Sequence, residues 1–261
     1  MGPQAVQEAL SVRGSFLKKR ILQEIYDNIP GLFVMDEEVG VRFGETQATD
    51  MVCFQTTDQG NAFYVLECHR AADAAAWVFL KHIGLQFREL RKLYRGELLS
   101  DPTETPPTCQ RVCSEGYEVR EEKKGKVALE ATTVVNAANQ LSGAYLGFIK
   151  WVQQRKMKSK IIVVPILVTT ARLRIADFQW GEVDIASGNL QQPLKMDEVD
   201  WVILKHSFPT PPQETQDFRL IDGELSYPQL TTESLYIVQS DSLKDFLSRD
   251  QLAYFGQAVD R

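Results

Sequence analysis

The chain is expected to fold as an α/β protein, a mixed central sheet flanked by helices and followed by a C-terminal strand-and-helix appendage. Three features carry this expectation. Short β-rich runs crowd residues 32–66, amphipathic helical spacing brackets them on both sides, and IIVVPILVTT is apolar on consecutive positions, as in a strand covered on both faces. At 261 residues the chain can bury a sizeable core. With 44% hydrophobic and 25% charged residues and a mean hydropathy of -0.23, its composition is ordinary for a soluble globular protein.

In chain order, SFLKKRILQEIYDNIP places Phe16, Leu17, Ile21, Ile25 and Ile29 at helical spacing behind Ser15 as N-cap, and Pro30 and Gly31 end the helix. LFVM, VGVRF, MVCF and AFYVL then read as an antiparallel meander separated by turn residues such as TTDQGN. In WVFLKHIGLQFRELRKLYRGELL the latter half has helical spacing, with Arg88, Arg91, Lys92 and Arg95 on a solvated face. The proline- and charge-rich residues 101–126 read as an exposed excursion.

Residues 127–154 begin β-branched and settle into a helix through Ala137, Leu141, Ala144, Phe148 and Val152. IIVVPILVTT follows, with Pro165 unable to donate its amide there. ARLRIADF, WVILKHSF and LYIVQS add short strands, and DSLKDFLSRDQLAYF closes the chain as a helix capped by Ser240 or Asp241. A core over 13–180 and an α+β appendage over 181–261 packed on it are expected.

A net charge of -6 and a pI near 5.3 exclude a surface coated in positive potential, so any nucleic-acid site must be local. The start of the chain lacks the apolar stretch of a signal peptide and no later window approaches a membrane span, so a cytoplasmic protein is expected. Of the four cysteines, Cys53 and Cys68 lie in apolar strand-like runs, where thiols act as small hydrophobes. Cys109 and Cys113 lack the second pair of a zinc site. Neither glycine-rich phosphate-binding motif is present, and Gly143 and Gly147 read as packing residues. His82 and His206 have no companions at metal-ligand spacing.

The chemistry concentrates in TDMVCFQTTDQGNAFYVLECHR. Asp50 opens one strand and Glu67, 17 residues later, closes the next, so an antiparallel pair would bring them side by side. Two such carboxylates repel each other unless a hard divalent cation lies between them. The bland alternative is a turn-capping Asp and a solvated strand-end Glu.

An Asp, a strand-turn-strand and an apolar run ending in Glu-x-Lys resemble the signature of the PD-(D/E)xK nuclease superfamily, with VLECH similar to that family's V-I-E-C-K. The resemblance covers residues 13–180 and implies a restriction-endonuclease-like fold. It implies Asp50 and Glu67 as ligands of Mg²⁺ or Mn²⁺, with Glu24 as the acidic residue of the preceding helix. His69 stands where the family has Lys and becomes the expected general base, while Arg70 and Lys81 are candidates for a displaced cation. The helix after the motif implies Gln140 as a site residue, ahead of Lys150. Arg155, Lys156, Lys158, Lys160, Arg172 and Arg174 are the expected contacts to a nucleic-acid backbone, DNA rather than RNA.

The activity implied is metal-dependent hydrolysis of DNA phosphodiesters, with bacterial defence as a setting. The competing expectation is a catalytically silent nuclease-fold subunit binding nucleic acid, another protein or a second copy. A third is a scaffold in which the resemblance is accidental.

Overall fold

In the computed structural model, helix α1 (Pro3–Asn28) begins twelve residues before the expected Ser15 cap. The added stretch, PQAVQEALSVRG, consists largely of good helix formers, and proline suits a helix's first turn. The structure describes residues 3–36, 50–57, 60–73, 75–81, 111–122, 126–154, 161–176, 196–206 and 234–248. Leu17, Ile21, Leu22 and Ile25 form the buried stripe of α1, each stabilising the fold by roughly 1.5–3 kcal/mol through burial. Gly31 at φ +84° takes the left-handed conformation that turns the chain beyond α1.

The meander forms as expected: β1 (Phe33–Asp36), β2 (Met51–Thr57) and β3 (Gly60–His69) pair antiparallel in sequence order. The VGVRF run lies outside the described residues. WVFL forms β4 (Ala76–Lys81), and the basic helical stretch after it, with His82, is also outside them.

The expected excursion is corrected over its described part. β5 (Val112–Glu122) and β6 (Lys126–Glu130) pair antiparallel, and β5 lies in the middle of the sheet. Val112, Cys113, Tyr117 and Glu118 are buried while Ser114 and Glu115 between them are only partly so, and a largely buried strand therefore carries the composition of a loop. The β-branched start of residues 127–154 is accordingly β6, and helix α2 (Ala131–Gln154) follows.

The remaining strands are β7 (Ile161–Thr169), β8 (Arg172–Ala176), β9 (Met196–Val199), β10 (Trp201–Lys205) and β11 (Ser234–Gln239). A 3-10 turn over Ser240–Ser242 leads into helix α3 (Leu243–Ser248). All eleven strands form one mixed sheet in the order β1-β2-β3-β7-β11-β10-β5-β4-β8-β9, with β6 on β5. The described strands of the expected appendage belong to this same sheet. β11 pairs with β7 and β10 with β5, and this places both strands in its middle.

The sheet's faces carry two large buried clusters and a small third one of Val78, Leu80, Tyr117 and Ala176. α1 and α3 cover one face, with Ile21, Ile25, Leu66, Ile166, Trp201 and Phe246 in contact. On the other, Leu141, Tyr145 and Phe148 of α2 meet Phe63, Trp77, Leu173 and Ile237. α2 packs mainly on β3, β5 and β7. Among the described residues no helix is long and apolar enough to cross a membrane.

Candidate functional site

The β2–β3 register pairs Met51 with Leu66, which sets Asp50 and Glu67 at the adjoining ends of the two strands. The Cys68 backbone N–H donates to Asp50 Oδ2 at 2.8 Å and fixes that carboxylate against the strand carrying Glu67. Burial pushes the Glu67 carboxyl up to about 8, and the charge of Asp50 pushes the same way. A hydrogen bond from the Asp50 backbone and the charge of Lys18 oppose the rise.

The Cys68 thiol, between Glu67 and His69, reports the same surroundings. Burial raises it first, then Asp50 and Glu67, while Lys18 lowers it. It is held as a neutral thiol, as are Cys53 and Cys113, both pushed up to about 12 by burial. Cys109 lies outside the described residues.

Lys18 is the residue that motif reasoning missed. It projects from α1, beside the stripe of Leu17, Ile21, Leu22 and Ile25. The detectable trace was a lysine three, four and seven residues before apolar positions, hence on the helix face turned to the sheet.

Other expected members lie elsewhere. The charges acting on Glu24 are those of Arg20, Asp241, Lys244 and Asp245, so this carboxylate faces the turn and helix that end the described chain. Burial raises its pKa first of all causes. His69 packs on Trp77, ring centroids 5.3 Å apart, and burial lowers its pKa while Glu118 opposes the fall. Neither Asp50 nor Glu67 is among the charges acting on it. Glu118 is a second residue that motif reasoning missed: it lies across from Trp77 in the β4–β5 ladder and is buried despite its charge.

Gln140 is exposed on α2, on the side away from buried Ala137, Ala138 and Leu141. His206 bonds through Nε2 to Asn139 Oδ1 at 2.9 Å, which fits a packing residue. Arg172 is exposed at the start of β8, while Arg174 is partly buried and stands opposite Glu198 of β9. Arg155, Lys156, Lys158 and Lys160 lie outside the described residues, and the side chain of Lys150 is likewise undescribed.

A cavity of about 320 Å³ is lined by Phe16, Leu17 and Arg20 of α1, Arg70–Asp73 after β3, and Thr170 after β7. It opens where the parallel strands β3 and β7 end, the side on which open α/β sheets commonly bind ligands. Ala71 N–H donates to Thr170 Oγ1 at 3.0 Å and ties its two loops together.

The donor set fits a small hard cation in one respect and limits it in another. Asp50 and Glu67 supply hard oxygens whose mutual repulsion such an ion would relieve. Among the described residues no group of three His, Cys, Asp or Glu is arranged to hold a metal. Magnesium is commonly held by one or two carboxylates, with waters and substrate phosphates completing the octahedron, and two ligands suffice for that mode. Comparison with protein-family models, curated proteins and solved structures finds no match to this chain.

Proposed function

We propose that the protein is a divalent-cation-dependent phosphodiesterase of the nuclease type, acting on nucleic acid, with DNA as the first substrate to test. The carrying observation is the pairing of Asp50 and Glu67, two hard-oxygen ligands at the adjoining ends of β2 and β3, with the charge of Lys18 on α1 acting on Glu67. Further support comes from the element order. A helix, a three-strand meander, a second helix and then a strand parallel to the third follow one another as the PD-(D/E)xK resemblance implies, with β4–β6 inserted.

On this reading Asp50 and Glu67 would hold Mg²⁺ or Mn²⁺, which lowers the pKa of a bound water and neutralises charge building on the scissile phosphate. Asp50 is kept in place by the Cys68 amide. Glu67 gives up its proton when the cation arrives, so binding strengthens as pH rises towards about 8. Lys18 supplies from α1 the ammonium charge that the family places two residues after the Glu. His69, packed on Trp77, is given no proton-transfer step.

The second reading, a silent nuclease-fold subunit, is favoured by His69 at the motif's lysine position and by the net charge of -6. Incubation of the purified chain with single-stranded and plasmid DNA in Mg²⁺ or Mn²⁺, beside Asp50→Ala and Glu67→Ala, separates the two. Cleavage lost in both variants is the expected result. Cleavage equal in all three proteins overturns the site, and no cleavage with retained nucleic-acid binding favours the silent subunit.

A further inference from the structure

The cavity at the ends of β3 and β7 carries a more specific reading, which rests on the proposed nuclease function for its purpose but not for its chemistry. Its lining combines two guanidinium groups, an aromatic ring, a hydroxyl and the carboxylate of Asp73. Phe16 is 68% exposed, so its ring is open to a partner.

Arg20 Nη2 is held by Ser240 Oγ at 2.6 Å and Asp241 Oδ1 at 2.8 Å, which fixes the guanidinium plane and leaves its other N–H donors without a partner among the described residues. Arg70 has a looser tie, 3.5 Å to Asp73, whose side chain is 91% exposed. A planar fork of donors is the group best suited to a phosphate. An acidic chain that sets two such forks around one cavity confines anion binding to that place.

Scale and position narrow the ligand. About 320 Å³ is at the small end of ligand pockets, room for one small molecule and not for a duplex. The floor of Leu17, Ala71 and Ala72 is apolar, and the exposed ring offers a stacking face for a base. Arg70 follows Glu67 by three residues, roughly 10 Å of extended chain, and Leu17 adjoins Lys18.

We infer that this cavity binds a single nucleotide unit of single-stranded nucleic acid, its base stacked on Phe16 and its phosphate held by Arg70 and Arg20. The substrate class is thus a single strand or frayed end and not an intact duplex.

The test is fluorescence anisotropy of the full chain in EDTA, with a fluorescein-labelled eight-residue oligothymidylate, its ribose counterpart and a blunt duplex, on wild type, Phe16→Ala and Arg70→Gln. Tighter binding of either single strand than of the duplex is expected, the better of the two identifying the sugar. Phe16→Ala should weaken single-strand binding about tenfold, and Arg70→Gln should weaken it and flatten its salt dependence. Duplex bound as tightly as both single strands, or affinities unchanged in both variants, overturns the inference. Single-strand binding that needs Phe16 and Arg70 in a protein that cuts nothing supports the cavity and overturns the nuclease. Cleavage that needs Glu67 while both cavity variants bind normally does the reverse.

Discussion

Replacing Glu67 by glutamine removes a carboxyl that the candidate centre perturbs strongly. The native carboxyl is raised from about 4.5 to about 8, a difference worth on the order of 5 kcal/mol at 1.36 kcal/mol per unit. The native state holds this proton through a window in which the unfolded chain has released it. Stability therefore falls as pH rises from about 4.5 to about 8, the opposite of a salt-bridged carboxylate. Urea unfolding in EDTA, followed by tryptophan fluorescence at pH 5 and pH 8.5, measures the effect as the difference between wild type and Glu67→Gln. Other titrating groups cancel in that difference. Wild type should lose stability relative to the variant by several kcal/mol over the interval, and millimolar Mg²⁺ at pH 8.5 should restore part of the loss in wild type alone. Parallel pH dependence in the two proteins would refute the claim that Glu67 is forced towards its neutral form by burial and Asp50.

Lys18→Gln removes a charge that holds Glu67 down, so proton release from Glu67, followed by carboxyl NMR, should move further up and Mg²⁺-dependent cleavage should fall about a hundredfold. His69→Asn bears on the acid side. Burial lowers the His69 pKa, so below about 6.5 the unfolded chain takes up the proton first, and wild type should lose more Tm between pH 7.5 and pH 5.5 than the variant does. Gly116→Ala would set a Cβ 2.5 Å from Phe79 Cε1 and 2.9 Å from Val134 Cγ1. Equilibrium unfolding should show a loss of about 1–3 kcal/mol from overpacking.

The parts of the fold legible in the sequence were those whose patterning matches burial. The meander from Phe33 to His69 and the doubly covered β7 announce themselves by β-branched and apolar runs. Strand β5 did not, because Ser114, Glu115 and Glu118 share it with buried Cys113 and Tyr117. Nor could local pattern show that β10 and β11 enter the middle of the sheet: that pairing joins Ile203 to Val112 and Tyr236 to Ile166, across long separations. For the site, spacing sufficed to find Asp50 and Glu67 because both lie on one hairpin. Lys18, on a helix that reaches them only through packing, and Glu24, directed to α3, were decided by helix rotation against the sheet. The family pattern carries no information about that rotation.

The most direct measurement of the central claim is electron paramagnetic resonance of Mn²⁺ titrated at pH 8 into wild type, Asp50→Ala and Glu24→Gln. One bound ion is predicted for wild type, retained in Glu24→Gln and lost in Asp50→Ala. Equal Mn²⁺ binding by wild type and Asp50→Ala, or loss of the ion in Glu24→Gln alone, would contradict the placement of the centre between Asp50 and Glu67.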